Sequence, residues 1–218
     1  MVPKSLHQRN GRKSSGASRR PPPFVGLTGG IAAGKSEVLA AFARLGAATL
    51  SSDALVHDLL EDAGVRSRLV QRWGEEVATD GGVDRARVGA IVFERPEELR
   101  WLEEVLHPLV GERVASWRHE LSPNVPIALV EVPLLFETGM ESAFDATIAV
   151  VSDDETRAAR AGTRGTDLLE RRERRQLPQE EKAARADRVI RNDGSLEELE
   201  AEVERVMADL AGPGSGGA

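Results

Sequence analysis

Two kinds of apolar stretch alternate along this chain. The first is short and continuous: "FVGLT" at Phe24–Thr28, "AATL" at 47–50, "IALVEV" at 127–132, "ATIAVV" at 146–151 and "DRVI" at 187–190. Runs of this kind predict strands, buried at 24–28 and covered on both faces at 127–132 and 146–151. The second kind carries its apolar residues at helical spacing. "KSEVLAAFARL" runs from Lys35 to Leu45, with Gly46 as a stop signal. A helix "ALVHDLLE" opens at Asp53, and Ser195 caps a final amphipathic helix to about Leu210. Residues 153–185 read as helical and rich in arginine.

Residues 63–122 break the alternation, because they hold helical patterns and no strong strand. Asp84 can cap "RARVGAIVFE", and Pro96 sits where a first helical turn tolerates it. Pro108 is expected to break or restart the helix that "EELRWLEEVL" begins. Five short strands separated by helices predict an α/β fold, a five-stranded parallel sheet flanked by helices. The expected division is a core of 23–62 and 123–211 around a helical insertion at 63–122, with short tails at 1–22 and 212–218.

Composition adds limits. The chain of 218 residues is 40% hydrophobic and 30% charged, which suits one globular domain with an inserted subdomain. Cysteine is absent, which removes disulfides and thiolate metal sites and suits a cytoplasmic protein. No apolar run approaches the ~20 residues that span a bilayer. The net charge of −7 conceals an asymmetry, since residues 1–20 hold six basic residues and no acid. The remainder has 23 basic against 36 acidic residues, a balance of −13. Such an acidic body disfavours nucleic acid as a partner. The basic tail lacks an apolar segment and reads as disordered, and "GPGSGGA" at the other end reads as a flexible tail.

The chemistry begins at "GLTGGIAAGKSEV". Gly29-x-x-x-x-Gly34-Lys35-Ser36 fits the phosphate-loop pattern, with a strand before it and a helix after it. Gly29, Gly30, Ile31, Ala32, Ala33 and Gly34 would offer backbone N–H groups to the phosphates of ATP, backed by the positive helix end. Lys35 supplies a point charge to the β- and γ-phosphates, and Ser36 a hydroxyl to Mg²⁺. Asp53 follows the second strand, where functional groups of a parallel sheet collect. It is a candidate to orient an acceptor alcohol and take its proton, or else a helix cap. Glu131 ends the third strand, where a carboxylate could hold a Mg²⁺-bound water.

"VGLTGGIAAGKSEV", "SSDAL", "LHPLV", "EVPLLFE" and "ADRVIRNDG" occur in the order and spacing of dephospho-coenzyme A kinases, which this chain resembles from about Phe24 to Leu210. The resemblance implies a P-loop kinase fold with a core, a helical substrate-binding domain and a lid at about 157–180. It implies transfer of the ATP γ-phosphate to the 3′-hydroxyl of dephospho-coenzyme A, the last step of coenzyme A synthesis. Asp53 matches the acid that engages the acceptor hydroxyl. The family usually has Asp-x-Asp here, whereas this chain reads Ser51-Ser52-Asp53. His107-Pro108 matches the family's His-Pro pair and would shape the acceptor site, with a histidine packed at a helix break as the alternative. Glu137 would line the acceptor pocket or sit on the surface. Arg164, between Gly162 and Gly165, matches the lid arginine, and Arg172 a second pattern with Gln176. The other arginines of 157–175 read as a solvated face. Asn192 would contact adenine, or form a plain turn before Ser195. The expected partners are ATP and dephospho-coenzyme A, and the expected state is a monomer or weak homo-oligomer. Another small-metabolite or nucleoside kinase, and a catalytically weak nucleotide-binding regulator, stay open as alternatives.

Overall fold

The computed structural model describes residues 21–79, 82–161 and 176–212. Its centre is a five-stranded sheet built from β1 (Phe24–Gly29), β2 (Ala48–Ser51), β5 (Ala128–Glu131), β6 (Ala146–Val151) and β7 (Arg188–Arg191). All neighbours are parallel, in the order β2-β5-β1-β6-β7. The central strand β1 is buried along its whole length, as its unbroken apolar run requires. The register sets Leu27 and Ser51 beside Glu131, and Gly29 beside Val150. Parallel pairing therefore brings the carboxyl ends of the strands to one edge of the sheet.

Helices cover both faces. On one, α1 (Lys35–Arg44) and α8 (Leu196–Ala211) pack Val38, Phe42, Leu199, Val203 and Val206 against Val25, Leu27, Ile148 and Val150. A capping box starts α8: Ser195 accepts from Glu198 N–H while the Glu198 carboxylate accepts from Ser195 N–H. On the other face, Phe24, Ala128 and Val130 meet Val114, Trp117 and Leu121 at the end of α5 (Pro96–Glu120). The other half of α5 belongs to a second core. There Leu102 and Leu106 join Leu59 and Leu60 of α2 (Ser52–Glu61), Val65 and Leu69 of α3 (Ala63–Trp73) and Val88 of α4 (Arg85–Glu94).

Two local expectations are corrected. Pro108 does not break the helix, because α5 runs through it from Pro96 to Glu120. A mid-helix proline removes one N–H donor and costs ~3 kcal/mol in isolation, but α5 is clamped in both cores at once. A two-stranded antiparallel pair, β3 (Ala78–Thr79) and β4 (Gly82–Val83), also lies within the helical segment. Its strands are too short to leave a periodic signal. The helical reading of 153–185 holds for α6 (Asp154–Ala161) and α7 (Gln179–Arg185), while 162–175 fall outside the described residues, as do both tails apart from 21–22 and 212.

Candidate active site

The phosphate loop turns at the carboxyl end of β1. A Cβ on Gly29 would lie 2.3 Å from the Val150 carbonyl oxygen, so only glycine lets the chain leave the sheet here. Gly34 is left-handed (φ 87°) and forms the N-cap of α1. Ala32 also has positive φ, 58°, which costs an L-residue ~1–2 kcal/mol. Lys35 folds back into the loop, its ammonium donating to the Gly29 and Gly30 carbonyls at 3.2 and 3.0 Å. Ser36 is exposed in the first turn of α1.

The outside of the loop is held by residues far away in sequence. Asn192 Nδ2 donates to the Ala33 carbonyl at 2.9 Å, and Arg157 Nε to the Ile31 carbonyl at 3.1 Å. Arg160 Nη1 donates to the Asn192 carbonyl at 3.1 Å, which the Ser152 hydroxyl also reaches at 3.0 Å. Gln179 brackets Ser152, accepting from its N–H and donating to its carbonyl, and its side chain lies against Gly30. Asp153 starts α6 by accepting from Thr156 N–H at 2.7 Å, and that bond, with the Thr156 hydroxyl, holds the Asp153 carboxyl below the usual range. A cleft of about 350 Å³ opens beside the loop, lined by Gly30, Ile31, Arg157, Leu177 and Gln179 among others.

Across the sheet edge stand the carboxylates. Glu131 is buried at the end of β5 and accepts a hydrogen bond from Ser51 Oγ at 3.0 Å. The register that pairs Ser51 with Glu131 makes this contact. Asp53 is exposed in the first turn of α2. Ser51, not Asp53, occupies the N-cap position, and no side-chain cap bond forms there. Asp53 therefore does not perform the capping task that was its alternative. His107 is exposed on the unbroken α5, which packs on α2. Among the described residues no group of three or more His, Asp or Glu side chains gathers to hold a metal.

Glu137 lies behind the site and is largely buried, not on the surface. It pairs with Lys182 at 2.9 Å and accepts from Leu177 N–H at 2.8 Å. Lys182 is fully buried and also donates to the Pro133 carbonyl at 2.7 Å. Burial pushes its pKa down, against the opposing pull of Glu137. Arg164 and Arg172 lie outside the described residues.

Sequence reasoning missed Arg157, Arg160, Gln179 and Lys182. In the sequence both arginines read as part of a solvated face, yet in the structure both reach the loop or its support. Their three-residue spacing on one helical face, just after a strand, is the signal that could have found them. Lys182, in a polar helical run, leaves no such trace.

A family model described as dephospho-CoA kinase matches residues 23–198. The dephospho-CoA kinase of Thermus thermophilus is 36% identical over 206 residues, covering 93% of this chain and 98% of that one. That of Symbiobacterium thermophilum is 40% identical over 203 residues, covering 89% and 83%. A crystal structure of a Thermus thermophilus protein superposes with a TM-score of 0.75 at 35% identity, over 88% of this chain and 100% of that one. With a strand-to-helix phosphate loop at the carboxyl edge of the sheet and similarity along nearly its whole length, the chain belongs to the dephospho-CoA kinase family.

Proposed function

We infer that the protein transfers the γ-phosphoryl group of ATP to the 3′-hydroxyl of dephospho-coenzyme A, yielding coenzyme A and ADP, the last step of coenzyme A synthesis. The observation that carries this reading is the shared strand edge. The nucleotide loop leaves the end of β1 and the Asp53 carboxylate follows the end of β2, both at the carboxyl edge of one parallel sheet, in a chain of this family. Asp53 orients the acceptor hydroxyl and accepts its proton as the new O–P bond forms and the bond to the β-phosphate bridging oxygen breaks. Lys35, already inside the loop, offsets charge on the β- and γ-phosphates. Loop N–H groups from Gly29 to Gly34 hold the triphosphate in line.

The donor set fits Mg²⁺. Ser36 and Glu131 offer hard oxygen ligands, and this ion keeps several waters and substrate phosphates instead of a protein cage. When bound, it would neutralise phosphate charge beside Ser36, with Glu131 holding a coordinated water. Ser51 keeps the Glu131 carboxylate oriented for that task.

Arg164 and Arg172 are proposed to close over the phosphates and to hold the acceptor. His107 is proposed to shape the acceptor site from α5. Glu137 is proposed to serve the acceptor side indirectly, through Lys182 and Leu177. No helix among the described residues is long and apolar enough to cross a membrane, and a cytoplasmic monomer or weak homo-oligomer is the proposed state. The test is product formation from purified protein, ATP, Mg²⁺ and dephospho-coenzyme A, followed by mass spectrometry, with Lys35→Ala as control. Coenzyme A is expected from the wild type and not from the control. ATP binding without product would refute the activity.

A further inference from the structure

We propose that Asn192 is a positioning residue for the triphosphate, acting through the backbone of the phosphate loop and not by reading the adenine base. This rests on the nucleotide reading above and deepens it. The Asn192 side chain is almost wholly buried, at 5% exposure. Its amide faces a carbonyl oxygen, which only accepts, so the nitrogen must be the group at 2.9 Å from Ala33 O. The contact is tight enough to set the neighbouring residue: a Cβ on Gly34 would come within 2.0 Å of Asn192 Nδ2. Gly34 is therefore bare partly to admit this amide.

The consequence follows from peptide geometry. The Ala33 carbonyl and the Gly34 N–H belong to one planar trans peptide, so they point in opposite directions. Fixing the carbonyl outward on Asn192 turns the Gly34 N–H away from it. Arg157 does the same two residues earlier: holding Ile31 O turns the Ala32 N–H away. Neither N–H finds an acceptor within the loop, where Ala33 N–H alone closes on Gly30 O at 3.3 Å. Among the described residues two donors are thus kept unspent before any anion arrives, which is what a phosphate nest needs. Asn192 is itself fixed by Ser152 and Arg160 on its carbonyl and by its N–H on Val151 O at 2.9 Å. Its amide nitrogen is thus held on the loop by a side chain whose backbone is itself pinned.

The experiment measures the affinity of the full chain for ATP, GTP and inorganic tripolyphosphate by calorimetry, in wild type and Asn192→Ala. Loss of one hydrogen bond predicts that all three weaken about three- to tenfold by a common factor. The ATP-to-GTP ratio should be unchanged, and in turnover the KM for ATP should rise while that for the acceptor stays. Asn192→Ser, whose hydroxyl stops short of Ala33 O, is the milder change and carries the same expectation should the alanine variant not fold. If ATP weakens while tripolyphosphate does not, and the ATP-to-GTP ratio collapses, Asn192 reads the base and the proposal is overturned. Three unchanged affinities overturn it too. A wild type that binds none of the three removes the nucleotide reading, and this inference with it.

Discussion

Replacing Lys182 with methionine removes a charge from a place with no water to replace it. The ammonium is fully buried, and its partner Glu137 is only 12% exposed. The substitution roughly preserves the length of the side chain, so lost packing is a minor part of the effect. What it leaves is a carboxylate with the Leu177 N–H on one oxygen and, on the other, a buried atom that already lacks a hydrogen-bond partner among the described residues. Breaking a buried pair from one side costs about 3–5 kcal/mol. With a urea slope of about 2–3 kcal/mol/M, the midpoint should fall by about 1–2.5 M. Adding Glu137→Gln removes the stranded charge and keeps an acceptor for Leu177, so the double variant should recover most of the loss. The pH dependence has a definite sign. Burial holds Lys182 below its ordinary value of 10.5, so between the two values the unfolded chain binds a proton that the folded one does not. Wild-type stability should therefore rise with pH through that window relative to the Lys182→Met variant. Urea denaturation followed by circular dichroism, from neutral pH to about pH 10.5, measures both effects. A single variant within about 1 kcal/mol of wild type would refute the buried, charged pair.

Three further expectations are open to test. Asp53→Asn should lower kcat by about 10²–10⁴-fold while leaving the KM for ATP nearly unchanged, as steady-state kinetics would show, because the role proposed for the carboxylate is on the acceptor. Ser51→Ala takes the hydroxyl donor from buried Glu131 and should cost about 1–3 kcal/mol in urea denaturation. It should also raise the Mg²⁺ concentration needed for half-maximal rate. Ala32→Gly releases strain at φ 58° but frees the unfolded chain, for a net stabilisation of about 0–1.5 kcal/mol, whereas Ala32→Val should destabilise by about 1–3 kcal/mol.

The strands were legible because a parallel sheet covered on both faces needs unbroken apolar runs, and β1 and β6 carry them. The phosphate loop was legible because its residues are consecutive. Pro108 was misread because a local rule was applied where packing decides: α5 is gripped by the helical core at Leu102 and Leu106 and by the sheet at Val114 and Trp117. The contacts that frame the loop join residues far apart in sequence. Arg157 meets Ile31 across 126 positions, and Asn192 meets Ala33 across 159. Nothing in one chain's local pattern announces a contact at that range.

Ala32 makes the physical point behind this division. A left-handed residue in a phosphate loop calls for glycine, and this chain places alanine there. Local propensity alone would let the loop relax toward another shape. It is held because the carbonyls on either side, Ile31 O and Ala33 O, are each tied from outside by side chains that are themselves anchored. Strain of ~1–2 kcal/mol survives where the surroundings over-determine the backbone. The frame supplies what glycine would otherwise leave to flexibility, a single loop conformation with its N–H groups already aimed. A loop preorganised this way spends less binding free energy on ordering itself when a triphosphate arrives. The pattern of glycines identifies where phosphate chemistry occurs, but the rigidity of the site is written in Arg157, Arg160, Ser152 and Asn192, whose part only the fold reveals.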